Sequence, residues 1–235
     1  MSVTLNAAVV SDLGLLRPNN EDAAFAGNRL IAVADGIGGG PAGEVASQIV
    51  IRAIEAADEL ETDPLPALRR AVETANQRIK EAVEADPAAE GMGTTLTALI
   101  LGEANAAMVH IGDSRAYLFR DGTLHQITRD DTYVQNLVDD GLITADQARH
   151  HPHKSVITQS LQGRTYSARY STVQLESGDV FLLCSDGLSD IVTDEAIEQV
   201  LRTVSDPSAA AERLVKLALQ AGAPDNVTVV VTAPA

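Results

Sequence analysis

An apolar run that stops at a carboxylate is the feature that most limits what this chain can become. In Leu30-Ile-Ala-Val-Ala-Asp35 the run is continuous, which suits a strand buried on both faces. It opens into Gly36-Ile-Gly-Gly-Gly40, where missing side chains let the backbone approach a ligand closely. The arrangement recurs in Val180-Phe-Leu-Leu-Cys-Ser-Asp186-Gly, in Met108-Val-His-Ile-Gly-Asp113-Ser-Arg and, reversed, in Pro224-Asp225-Asn-Val-Thr-Val-Val-Val231. One such aspartate is an ordinary turn residue. Four at the ends of four apolar strands, three of them beside glycine, form a set. Carboxylates gathered this way repel one another, and they stay ionised together only with cations between them.

The rest of the chain supplies strands and helix pairs around that set. Strands are expected from Thr4 to Val10, before Asp35, from Thr94 to Leu101, Ala106 to Ile111, Arg115 to Arg120, Thr123 to Thr128, Ala168 to Leu175, up to Cys184, and from Asn226 to Thr232. Asp121-Gly122 is a hairpin signal, and consecutive hairpins make an antiparallel sheet. Apolar residues at spacings of three and four predict helices from Pro41 to about Leu60, from Leu65 through Val83 to an end at Asp86-Pro87, from Thr193 to about Val204 and from Pro207 to about Gln220. Strand, Asp-Gly, two helices and a final strand occur once around Asp35 and again around Asp186. The economical layout is an α+β fold, a four-layer α-β-β-α sandwich of two antiparallel sheets flanked by helix pairs. The polar stretch 129–163, with His150, His151 and His153, breaks the pattern and reads as a flap-like surface insertion in a single domain, 1–235.

A formal net charge of −16 excludes nucleic acid or an anionic membrane as the main partner, since both need a basic patch. A phosphate-bearing substrate would meet the same repulsion unless bound divalent cations locally reversed it. The one cysteine, Cys184, precludes an internal disulfide and suits a reducing compartment. No basic leader and no run long enough to span a bilayer are present, so the segment is expected to be cytoplasmic, without membrane contact of its own. The close at Thr232-Ala-Pro-Ala also suits the cytoplasmic domain of a longer membrane-anchored chain.

The candidate ligands are oxygens: Asp35, the carbonyl of Gly36, Asp113, Asp186 and Asp225, with Glu21 and Asp22 on a nearby loop. Such a donor set selects Mg²⁺ or Mn²⁺ over Zn²⁺ or Cu²⁺. Two such ions about 3.5–4 Å apart can activate a bridging water for in-line displacement at phosphorus. Asp35 is the natural bridging carboxylate, and Arg17 a candidate to grip the phosphoryl oxygens, although taken alone it reads as a surface arginine. A cysteine-nucleophile phosphatase is excluded, because the sixth residue after Cys184 is Asp190 where that chemistry needs arginine. No Gly-rich turn ends in Gly-Lys-Ser or Gly-Lys-Thr, so there is no P-loop.

Arg17-Pro-Asn-Asn-Glu-Asp22, Asp35-Gly-Ile-Gly-Gly, Gly91-Met-Gly-Thr-Thr95, Gly112-Asp-Ser-Arg115, Ser185-Asp-Gly-Leu188 and Pro224-Asp-Asn226 together resemble the ordered motifs of the metal-dependent protein serine/threonine phosphatases of type 2C. The short bacterial form with a flap is the closest subgroup. The resemblance implies Mn²⁺ or Mg²⁺ dependence and hydrolysis of phosphoserine and phosphothreonine without a phosphoenzyme. Carried over by position, Asp35 bridges two metals, Gly36 offers its carbonyl, and Asp186 and Asp225 complete the pair. Glu21 and Asp22 act through water, and Arg17 binds phosphate. A third ion would fall to Asp113 and Asp186, with Ser155 as a flap oxygen. Phosphorylated proteins, a serine/threonine kinase among them, are the implied partners of a monomer. A rival reading keeps the same site in a metal-binding pseudophosphatase or phosphopeptide-binding module.

Two departures touch the general acid. Gly40 stands where many bacterial relatives have histidine, and Ile37 where some eukaryotic relatives have one. That leaves a metal-bound water or a flap histidine, His151 or His153. His110 alternates with Val109 and Ile111, and reads either as a core histidine or as a catalytic one.

Overall fold

The computed structural model describes residues 5–38, 41–58 and 63–234. Gly39 and Gly40 of the glycine-rich turn, Thr4 and Leu60 lie outside the described residues. The strands are β1 (Leu5–Asp12), β2 (Ala23–Ala26), β3 (Leu30–Ala34), β4 (Gly36–Ile37), β5 (Gly93–Thr94), β6 (Leu96–Leu101), β7 (Asn105–Ile111), β8 (Arg115–Arg120), β9 (Thr123–Gln126), β10 (Arg169–Gln174), β11 (Val180–Cys184) and β12 (Val227–Pro234). The helices are α1 (Pro41–Glu55), α2 (Pro64–Ala85), α3 (Tyr133–Asp139), α4 (Ala145–Arg149), α5 (Asp186–Ser189), α6 (Asp194–Thr203) and α7 (Pro207–Gln220).

Two five-stranded sheets form, in the orders β1-β12-β11-β8-β9 and β10-β7-β6-β3-β2, with β4 and β5 as a separate pair. Among the described residues every pairing is antiparallel. The period of two in each strand builds the layers. On β3, Ile31 and Val33 enter the core between the sheets, whereas Leu30, Ala32 and Ala34 face α1 and α2. On β11, Phe181 and Leu183 point between the sheets, and Leu182 and Cys184 pack with residues of α6 and α7. Helices therefore cover the outside of both sheets, giving the expected four-layer sandwich. Burial on both faces is why these antiparallel strands read as continuous apolar runs rather than alternating ones.

Local sequence sets the helix starts. Asp63 caps α2 and Asp206 caps α7, each followed by proline at a position whose N–H the helix does not need. The structure corrects two expectations. The first helix ends at Glu55, five residues before Leu60. Beyond it Asp58 turns back, and its carboxylate accepts the N–H groups of Asn28, Arg29 and Leu30 at 2.8–2.9 Å, pinning the β2–β3 hairpin to α1. The expected strand from Thr94 to Leu101 is broken at Thr95, whose N–H leaves the ladder for the carbonyl of Asp35, 2.9 Å away.

Segment 129–163 holds α3 and α4, capped by Thr132 and Thr144. Its outer part is exposed. Its ends are anchored, with Asp130, Asp131, Thr132 and Leu161 buried and with bridges from Thr132 to Ile157 and from Thr94 to Leu161. Among the described residues no helix is long and apolar enough to cross a membrane.

Candidate metal centre

All four strand-end aspartates arrive at one edge of the sandwich. Asp35 follows β3, Asp113 lies in the β7–β8 turn, Asp186 opens α5 directly after β11, and Asp225 precedes β12. Burial comes first among the causes that push the Asp35 carboxyl well above its usual range, followed by the charges of Asp22, Asp186, Asp113 and Asp225. Asp186 is raised in the same way, by burial and then by Asp113, Asp190, Asp225 and Asp22. Each carboxylate thus feels the others, and protein displaces most of the water that would screen them.

The loop 13–22 is stitched onto this edge. Asn226 donates to the carbonyls of Leu13 (2.9 Å) and Asn19 (3.0 Å) and accepts the N–H of Glu21 (2.8 Å). Arg17 donates through Nη2 to Asp225 Oδ2 at 2.6 Å, in a pair that is still solvent-accessible. Glu21 is buried, and its carbonyl accepts the N–H of Gly36 (3.2 Å) and the hydroxyl of Ser47 (2.6 Å). A side chain at Gly36 would begin 2.4 Å from the carbonyl oxygen of Gly43, so α1 can seat here only against glycine. Asp22 accepts from the Ser185 hydroxyl at 2.7 Å, and burial pushes its carboxyl up to about 6.

Asp113 is 6% exposed, and burial, then Asp130 and Asp190, push it up to about 7. Nearby Arg115 does not neutralise it, because the guanidinium is committed to Asp130 at 2.7–3.0 Å. A cavity is lined by Asp113, Asp186, Asp190, Lys154 and Ser155, and Lys154 Nζ sits 2.5 Å from Asp190 Oδ2. Ser155, the flap oxygen expected from the sequence, therefore opens onto the same space as Asp113.

The fit to hard cations rests on two observations. Among the described residues, the buried side-chain oxygens without a hydrogen-bond partner are Asp22 Oδ1 and Asp113 Oδ1, both at this edge. An unpaired buried carboxylate oxygen is costly, and a cation satisfies it. The surrounding side-chain donors are carboxylates, the ligand set of Mg²⁺ and Mn²⁺. Among the described residues, no three His, Cys, Asp or Glu side chains close on one point as a ready-made cage.

The histidines fall elsewhere. His110 is a core residue, with Nδ1 2.9 Å from Thr97 Oγ1 and Nε2 donating to the carbonyl of Arg129 at 3.0 Å. His151 and His153 group with Tyr133 on the flap, their ring centroids 5.6–6.2 Å apart, and neither lines the cavity beside Asp113.

Sequence reasoning gave no role to Asp190 or Lys154, nor to Ser185 and Asn226, although the last two stand inside the motifs around Asp186 and Asp225. A signal existed for Asp190, which stands four residues after Asp186 and hence on the same helix face. The others depend on contacts between distant segments.

The sequence model of the family described as Protein phosphatase 2C matches residues 18–220. Serine/threonine protein phosphatase PstP of Mycobacterium tuberculosis (strain ATCC 25618 / H37Rv) is 50% identical over 233 residues, which is 98% of this chain and 45% of that protein. The chain thus spans less than half of that relative's length. Protein phosphatase PhpP of Streptococcus pneumoniae serotype 2 (strain D39 / NCTC 7466) is 36% identical over 236 residues, 96% of each. Among solved structures, the M. tuberculosis serine/threonine phosphatase PstP/Ppp superposes with a TM-score of 0.95 at 50% identity, covering 98% of both chains. The catalytic domain of PstP in complex with two manganese ions superposes with a TM-score of 0.93 at 49% identity, covering 99% of both. Sequence, sandwich topology and the carboxylate edge agree: the chain belongs to the protein phosphatase 2C family.

Proposed function

We propose that this chain is a metal-dependent protein serine/threonine phosphatase that hydrolyses phosphoserine and phosphothreonine without a phosphoenzyme. The observation that carries the reading is the edge itself, where Asp35, Asp186, Asp113 and Asp22 are each held above the ordinary carboxylate range and two of their oxygens are buried unpaired. Asp35, the carbonyl of Gly36, Asp186 and Asp225 would hold two Mn²⁺ or Mg²⁺ ions, with Glu21 and Asp22 acting through water. When bound, such ions activate water for attack on phosphorus and offset the charge of the phosphoryl oxygens. Arg17 orients the phosphoryl group, exchanging its bond to Asp225 for one to substrate. Phosphorylated proteins, a serine/threonine kinase among them, are the partners, and the cytoplasm is the compartment.

Release of p-nitrophenol from its phosphate ester, and of phosphate from phosphopeptides, with and without Mn²⁺ tests the activity. Tight phosphopeptide binding without turnover would favour the binding-module reading. Arg17→Ala is expected to lower kcat/KM for a phosphopeptide by about 10–100-fold, the value of a charge-assisted hydrogen bond. Its Mn²⁺ affinity should stay close to that of the parent, because the exposed Arg17–Asp225 pair contributes little. An equal loss of Mn²⁺ binding by calorimetry would make Arg17 a structural residue.

A third, weaker ion is assigned to Asp113, Asp186 and the flap oxygen of Ser155. Asp113→Ala is expected to remove one weak binding event from a Mn²⁺ titration and to slow phosphopeptide hydrolysis about tenfold or more. The two tighter events should persist. Loss of all binding, or full activity, would defeat this assignment.

A further inference from the structure

Asp35 is the first residue beyond the ladder of β3, whose last pairings are Ala34 with Ala23 and Val33 with Thr97. Its peptide groups must therefore be satisfied outside the sheet. Two threonines do so. The N–H of Asp35 donates to Thr95 Oγ1 at 2.9 Å, and its carbonyl accepts the N–H of Thr95 at 2.9 Å and the hydroxyl of Thr94 at 2.8 Å.

Thr95 reaches a second strand end as well. Its hydroxyl lies 2.8 Å from that of Ser114, and its methyl fills the space where a side chain at Gly112 would stand, 2.6 Å away. Gly112 and Ser114 flank Asp113. One fully buried side chain thus touches the backbone of Asp35 on one side and the turn carrying Asp113 on the other. The same residue causes the break between β5 and β6, so the strand interruption and the clamp are one feature.

We infer that Thr95 is a positioning residue, which fixes Asp35 against the Gly112–Ser114 turn and so sets the spacing of the two carboxylates. The inference rests on the assignment of Asp35 above. Thr95 does not touch substrate or reacting atoms. Its hydroxyl acts by holding a peptide, and through it a carboxylate that its neighbours repel.

Thr95→Val and Thr95→Ser separate the hydroxyl from the methyl. Valine keeps the shape and leaves the Asp35 N–H unpaired, whereas serine keeps the bond and leaves a small void. With Thr95→Val, Mn²⁺ affinity by calorimetry is expected to fall about tenfold, the usual cost of losing a bond that orients a ligand. Hydrogen exchange at the Asp35 amide, measured in EDTA, should accelerate. Thr95→Ser is expected to bind Mn²⁺ within about twofold of the parent despite a lower melting temperature. Parent-level Mn²⁺ affinity in Thr95→Val, or an equal loss in Thr95→Ser, would overturn the inference. If the valine variant does not fold, Ser114→Ala decides, with weaker Mn²⁺ binding expected and parent-level binding refuting the role. Asp35→Asn run alongside locates any failure. If it too binds Mn²⁺ normally, the assignment of Asp35 is wrong; if it loses binding while Thr95→Val does not, Thr95 alone is.

Discussion

Asp35→Asn is expected to lower phosphopeptide turnover by at least about a thousandfold, equivalent to ~4 kcal/mol of transition-state stabilisation. Asparagine keeps the volume and one oxygen but removes a charge and a second oxygen donor at the position proposed to bridge two dications. Mn²⁺ binding should weaken with it. Stability of the metal-free protein should move the other way. Burial and four neighbouring carboxylates already push Asp35 well above the usual range, so a neutral group there relieves repulsion. A higher denaturation midpoint in EDTA, together with lost turnover, is a signature that simple damage to the fold would not give. Turnover above a few per cent of the parent in saturating Mn²⁺ would remove Asp35 from the centre.

The four strand-end aspartates were legible because each is announced locally, by an apolar strand that stops at a carboxylate. The sandwich was legible for a related reason, since strands apolar on both faces must be covered twice. Other parts of the edge have no local announcement. Ser185 donates to Asp22 across 163 positions, and Asn226 ties down a loop more than 200 positions earlier. Such pairs are fixed by the stacking of whole sheets, which neither periodicity nor turn chemistry encodes. The break at Thr95 was hidden because Thr94 to Leu101 has strand-forming residues throughout, and only the unsatisfied peptide of Asp35 explains why the ladder stops. Arg17 reads alone as a surface residue, and it is indeed accessible. Its meaning comes from the carboxylate of Asp225, 2.6 Å away.

Removing divalent ions should leave the fold standing and give it a pH dependence opposite to that of most acidic proteins. The core is apolar, and the carboxylates sit only at strand ends, so EDTA is expected to leave the circular dichroism spectrum close to that of the loaded protein. Burial and mutual repulsion raise Asp22 to about 6, Asp113 to about 7, and Asp35 and Asp186 well above the ordinary range. A carboxyl raised in the folded state binds protons there that the unfolded chain has released. Its contribution is therefore fully present below the unfolded value, near 3.8, and is lost as pH rises through the folded value. His110 opposes this, because burial lowers its pKa and favours the folded state as pH rises, but it is one group against four. The metal-free protein should lose stability as pH rises from about 5.5 to about 7.5, the window set by Asp22 at about 6 and Asp113 at about 7. Mn²⁺ should restore that stability at the upper pH and add much less at the lower one, where protons already occupy the carboxyls. Urea midpoints at both pH values, with EDTA and with Mn²⁺, measure all four corners. Asp113→Asn should flatten the slope in EDTA by removing one raised carboxyl. A metal-free midpoint that stays level or rises between the two pH values would mean that these carboxylates do not crowd one another in solution.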